Sequence, residues 1–306
     1  MSQTLCSSPP AGRAAIPAAA VAALLVATGA WGSLFFVGKA VLEDVDPLWF
    51  TTIRYAAAAV LLLALHPLFG RARMSQVLAL APRLAAYGLA GYGAFSVLVF
   101  IGLSLSSPSH GAVIMATMPV STVLLRWVQD GDRPSAPAVA ACALAMAGVA
   151  SVSGLVAGHG TAGSALGDLL AFAGTLGWIT YTRGAAQFPQ LSAFDYTAFT
   201  AWVAAPVLLV AAAMASAAGV VDWPAAAAVA RHGAAFAYVA ALPTVAAAVA
   251  FNFGVRTLGA ATGTLFLNAV PVSAMAIATA LGHPPAATEL AGAALVGAAL
   301  VLATRR

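Results

Sequence analysis

The segment Gly111 to Ser121, GAVIMATMPVS, returns as Gly263 to Ser273, GTLFLNAVPVS. The same offset pairs Gly102 with Gly254, and Pro119-Val120-Ser121 with Pro271-Val272-Ser273. Both copies lie in long apolar runs, where a proline removes a backbone hydrogen bond and bends a helix. One such proline is a local event, but the same one twice at a fixed spacing points to an internal duplication. The chain is 62% hydrophobic and 7% charged, whereas soluble chains are about a quarter charged. The duplicated unit therefore belongs in lipid, and an all-α polytopic membrane protein is expected.

Ten apolar runs have the length needed to cross the hydrocarbon core. They fall at about residues 15–42, 47–65, 84–104, 109–128, 136–157, 167–186, 194–218, 233–256, 259–281 and 286–304. Residues 1–14 are polar, carry Pro9 and Pro10, and read as a disordered cytoplasmic tail. The apolar run that follows is too long for a signal-peptide core and is expected to stay as a span. A first five-helix repeat is then expected over 15–157 and a second over 158–306.

Basic residues set the expected orientation. Arg13, Arg71, Arg73, Arg83, Arg126, Arg133, Arg183, Arg256, Arg305 and Arg306 fall on one side of this ten-span arrangement, and Arg231 alone on the other. By the positive-inside rule both termini are cytoplasmic, in a multi-pass protein of the bacterial inner membrane. Five is an odd number, so the second repeat enters the membrane inverted relative to the first. A central cavity then lies near mid-membrane between the two halves.

The first hairpin, Trp31 to Leu63, carries Trp31-Gly32-Ser33, Lys39 late in the first run, Pro47 in the turn and Arg54 in the second run. The second half opens GDLLAFAGTLGWITYTRGA, Gly167 to Ala185. These segments resemble the two repeats of EamA-type members of the drug/metabolite transporter superfamily. The resemblance implies a ten-helix basket with a central cavity and efflux of small molecules. Among its branches, the YddG-like exporters of aromatic amino acids are similar. The second half departs from the first in having no counterpart of Lys39 or Arg54.

Lys39 is the single lysine, and a lysine in a span is costly enough to suggest a task such as holding a substrate carboxylate. Its bland alternative is a side chain that snorkels to the interface or pairs with Glu43, Asp44 or Asp46. Arg54 is expected to pair with those turn acids. Trp31, Phe35, Trp178 and Tyr181 lie on equivalent runs of the two halves, and with Tyr92 they are expected to line the cavity. Asn252 and Asn268 are amides in spans that must find a polar partner or a ligand. Gly91, Pro119, Pro243 and Pro271 are the expected hinge or kink positions.

The nine acids all fall in turns or near span ends, and so do the five histidines. An intramembrane enzyme would need a nucleophile–base pair or acidic metal ligands at depth, so a transporter is expected. Proton-coupled carriers commonly use a mid-membrane carboxylate, so the expectation is gradient-driven efflux by alternating access, or coupling through an unusual group. Cys6 and Cys142 are too far apart in sequence to suggest a disulfide or a metal site. No cofactor, metal or nucleic-acid partner is expected, only a small-molecule substrate and the bilayer around a monomer. The expected cargo is a neutral, hydrophobic or aromatic amino acid. Other small metabolites, lipophilic drugs and a non-transporting sensor or scaffold are the competing readings.

Overall fold

The computed structural model describes residues 17–115, 117–152, 162–259, 263 and 266–304. The expected tail and the junction between the halves lie outside the described residues. So does the side chain of Pro119. Every regular element among the described residues is helical. The first half holds α1 (Ala18–Val41), α2 (Pro47–Phe69), α3 (Met74–Gly88), α4 (Phe95–Leu105), α5 (Pro108–Met115), α6 (Met118–Leu125) and α7 (Ala136–Val152). The second holds α8 (Ala162–Gly184), α9 (Ala193–Ala217), α10 (Ala226–Arg231), α11 (Gly233–Val239), α12 (Ala247–Leu258), α13 (Ala269–Ala280) and α14 (Ala287–Thr304).

Five stretches are long and apolar enough on their own to cross a membrane: Ala18–Val41, Pro47–Phe69, Leu78–Leu105, Ala193–Ala217 and Gly233–Leu258. Their outer faces carry large exposed apolar side chains such as Leu25, Val26, Val60 and Val210. Their inner faces bury polar groups such as Thr28, Thr52, Arg54 and Thr200. That distribution suits lipid outside and a polar seam within.

Local chemistry sets several ends. Asp46 accepts a hydrogen bond from the Leu48 amide at 2.7 Å and Pro47 occupies the first turn, so α2 starts there. Ser192 and Asp195 cap α9 reciprocally. Pro119 and Pro271 each fall in the first turn of a helix, α6 and α13. The sequence suggested bends inside continuous helices. Proline is instead accommodated where its missing N–H would have had no intrahelical partner. Gly91 and Pro243 lie in π-helical turns, Leu89–Ala94 and Ala240–Ala246, one in each half. In the second, Ala247 donates to Leu242, which releases the Pro243 carbonyl from its usual helical partner.

Helix pairs tie the halves together. α4 packs on α8, α1 on α12 and α13, α2 on α9, and α7 on α14. Glycines permit the closest approaches. A Cβ on Gly102 would strike the Gly167 carbonyl, and one on Gly167 would lie 2.6 Å from the Gly102 carbonyl. Gly174 faces the Phe95 carbonyl in the same way. Gly254 on α12 packs against Leu24 on α1.

Outside the spans, Asp44 in the α1–α2 turn accepts hydrogen bonds from Arg231 and His232, both at 2.8 Å. The His232 hydrogen bond, with Arg231 adding to it, holds the Asp44 carboxyl below its ordinary value. A depressed carboxylate contributes its stability above the ordinary carboxylate range and loses it as pH falls through the lowered value. Asp44→Asn should therefore speed hydrogen exchange in the turn at neutral pH and leave the melting temperature nearly unchanged.

Candidate functional site

A cavity lies where α1, α2, α4, α8, both of the π turns containing Gly91 and Pro243, and α13 converge. Its wall includes Trp31, Phe35, Arg54, Tyr55, Tyr92, Phe95, Phe100, Trp178, Pro243, Thr244 and Val270. Its free volume is about 50 Å³, enough for a few waters and far below the roughly 300–1,000 Å³ of small-molecule sites. The walls are closed on one another, so admitting an amino-acid-sized molecule requires the helices to part.

The aromatic wall is built from both halves. Trp31 meets Trp178 edge-on at 5.3 Å and Phe251 at 5.1 Å. Trp178 in turn lies 5.2 Å from Phe95 and from Tyr181. The Trp31 indole N–H donates to the Pro243 carbonyl at 2.8 Å, the carbonyl that the π turn released. The Trp178 indole N–H is buried and meets no protein acceptor.

Arg54 supplies the charge. It is 3% exposed, two turns into α2. One terminal nitrogen donates to Ser96 Oγ at 2.9 Å and the other to Thr244 Oγ1 at 3.4 Å. The guanidinium lies 4.4 Å from the Tyr55 ring centre and 5.0 Å from that of Phe100. Its Nε–H has no protein partner. Among the described residues no carboxylate pairs with it. The expected partners are engaged elsewhere, Asp46 in capping α2 and Asp44 with Arg231 and His232. Sequence reasoning passed over Arg54 as a site residue because the acids were close in the chain.

Tyr181 and Asn252 stand behind this wall. Tyr92 donates to the Tyr181 hydroxyl at 2.7 Å, and Asn252 Nδ2 donates to Tyr181 at 2.9 Å and to Thr197 Oγ1 at 2.8 Å. Asn252 Oδ1 is buried without a protein partner. Asn268 precedes α13, between the cavity residues Leu267 and Val270. Gly91 packs its π turn against Tyr181, where a Cβ would come within 2.5 Å of the Tyr181 Cβ.

Lys39 lies outside the cavity lining. Its ammonium donates to the carbonyls of Leu103, Ser104 and Ser106 at 2.8, 3.1 and 2.9 Å, closing the C-terminus of α4. This is the position where a helix end favours a cation. Lys39→Met should lower stability by about 1–2 kcal/mol and weaken carboxylated and uncharged ligands alike. A selective loss for the carboxylated ligand would instead return Lys39 to the binding site.

Two further clusters sit at helix ends, away from the cavity. Asp168, 4% exposed, accepts from Ser106 Oγ at 2.7 Å and faces His110 Nδ1 at 3.1 Å. Asp195, 1% exposed, accepts from the Arg71 amide at 3.1 Å and lies 3.7 Å from His66 Nε2. The acids are near helix ends, as the sequence suggested, yet these two are buried and each faces a histidine. Ser106 Oγ also lies 3.0 Å from His110 Nδ1, so serine, histidine and aspartate form one closed polar cluster.

Comparison with known proteins identifies the fold and its class. The profile of the EamA-like transporter family matches residues 18–154 and again 165–305. A transporter of Bacillus subtilis strain 168, YrdR, whose activity is uncharacterized, is 27% identical over 286 residues, covering 91% of this chain and 88% of that one. A probable terminal-alkyne amino-acid exporter of Streptantibioticus cattleyicolor is 28% identical, with 94% of each chain covered. A solved crystal structure at 19% identity superposes with a TM-score of 0.64 over 94% of this chain and 96% of its own, a likeness of fold. With the profile matched twice across nearly the whole chain, the protein belongs to the EamA-like transporter family.

Proposed function

We propose that this protein is a secondary transporter of the bacterial inner membrane that exports neutral, hydrophobic or aromatic amino acids and related metabolites. The observation that carries this reading is the cavity built from both halves, with Trp31, Trp178, Tyr92 and Phe35 around one buried guanidinium. Aromatic walls suit an apolar side chain and a few fixed polar groups orient the rest. The name of the Streptantibioticus relative, an amino-acid exporter, favours the same cargo class.

The mechanism we propose is alternating access by two inverted five-helix repeats, 15–157 and 158–306, within a ten-span bundle whose termini are cytoplasmic. The packing favours it. α4 on α8 and α1 on α12 form a reciprocal exchange, each pair closed at a glycine, Gly102 or its match Gly254. Gly91, Pro243, Pro119 and Pro271 would then be the flexing points, at π turns and helix starts. Tyr181, Asn252 and Asn268 would support or complete the substrate site.

Proteoliposomes holding the purified protein test the reading. Saturable flux of labelled tryptophan and phenylalanine is expected, with little for a sugar or a cationic drug. An imposed pH gradient is expected not to drive concentrative uptake. Flux no greater than in protein-free vesicles would remove the transport assignment for these cargoes, and pH-driven accumulation would reject gradient-driven export.

A further inference from the structure

The polar atoms of the cavity wall are out of balance. Arg54 Nε–H and Trp178 Nε1–H are buried donors on lining residues, and neither has a protein acceptor. The other polar groups of the wall are already engaged. Trp31 N–H is held by the Pro243 carbonyl, and Thr244 Oγ1 donates to the Val239 carbonyl at 2.6 Å while accepting from Arg54. Tyr55 shares Ser96 Oγ with Arg54. Among the described residues no acidic side chain lines the cavity. A wall with spare donors, a fixed positive charge and no counter-charge is complementary to a ligand that brings acceptors and a negative charge. The free Nε–H is one arm of the fork by which a guanidinium holds a carboxylate. Among the described lining residues no anion is set out to receive an ammonium.

We propose that the cavity recognises the carboxylate of an apolar or aromatic carboxylic acid through Arg54, assisted by the Trp178 N–H, and that an α-ammonium group is dispensable. This rests on the reading of the cavity as the transport site and narrows its cargo. Deaminated aromatic acids belong to the substrate class as fully as amino acids do. Aromatic amines and carboxamides do not.

The test is isothermal titration of the purified full-length protein with four indole ligands: indole-3-propionate, tryptophan, tryptamine and indole-3-propionamide. Indole-3-propionate should bind at least as tightly as tryptophan, and the amide and the amine should each bind at least about thirtyfold more weakly. In Arg54→Gln the acid should fall to the level of the amide, and Arg54→Lys, which keeps the charge without the fork, should lie between. Wild-type protein alone decides the point should the variants fold poorly. Equal binding of acid and amide, tightest binding of tryptamine, or binding of none of the four overturns the proposal. The two readings separate cleanly. Tight acid binding without tryptophan flux would sink amino-acid export and leave the carboxylate site standing. Tryptophan flux without acid-over-amide discrimination would do the reverse.

Discussion

Gly102→Ala and Gly177→Ala should each leave little folded protein, whereas Gly29→Ala should fold normally. All three changes add one methyl group to a helix, and alanine is the better helix former by about 1 kcal/mol. The surroundings decide the outcome. At Gly102 the new carbon would collide with the backbone carbonyl of Gly167, and at Gly177 with that of Ala90. A carbonyl inside a packed helix cannot retreat as a flexible side chain can, so α8 would have to separate from α4 in the first variant and from the Leu89–Ala94 π turn in the second. Overpacking of this kind costs about 3 kcal/mol or more, and in lipid close packing is the main force holding helices together. At Gly29 no atom lies within 4 Å of the new carbon. Size-exclusion profiles and thermal melts in detergent read the difference directly. Similar melts for all three variants would mean that α8 is in backbone contact with neither α4 nor the Leu89–Ala94 π turn.

The two tryptophans that meet in the cavity wall should prove unequal when each is changed to phenylalanine. Trp31→Phe removes the hydrogen bond to Pro243 and leaves a carbonyl of the π turn unsatisfied, at a cost of about 1–3 kcal/mol. Trp178→Phe removes an N–H that has no protein acceptor, so stability should hold or rise slightly. Truncation to alanine should bring them together again. Each indole packs against the other and against Phe251, and loss of either should weaken aromatic ligands by about thirtyfold, a cost of about 2 kcal/mol. Melting curves check the phenylalanine pair and titration checks the alanine pair. Equal destabilisation by the two phenylalanine variants would contradict the hydrogen-bond assignment, and unchanged affinity in both alanine variants would take the indoles out of the site.

Much of this arrangement was legible in the chain. Apolar runs longer than the hydrocarbon core mark the helices, and the offset that pairs Gly102 with Gly254 also matches two glycine contacts between helices. The tryptophans of the equivalent first and sixth runs do meet, Trp31 with Trp178, and Tyr92 of the third run meets Tyr181 of the sixth. Arg54 was misread for a physical reason. Proximity in sequence suggested Glu43, Asp44 and Asp46, but capping α2 consumes Asp46, and Asp44 turns outward to Arg231 and His232. The guanidinium is carried inward by the helix to hydroxyls on other elements, Ser96 and Thr244. The pairs His110–Asp168 and His66–Asp195 join residues distant in the chain, and hydropathy carries no information about such partners. Proline signalled a break in each half without showing that it would open a new helix.

Arg54 also bears on how the chain is assembled. A guanidinium in a span raises the cost of releasing α2 into lipid by about 2.5–3.5 kcal/mol, so a freshly inserted α1–α2 hairpin is poorly suited to stand alone. Ser96 arrives with α4, but Thr244 is synthesised almost two hundred residues after Arg54. Until then the ribosome-bound intermediate carries a charge whose final hydrogen-bonding shell is incomplete. Completion of the second half thus locks the first, and a nascent chain halted before residue 240 should be the species that quality-control proteases find.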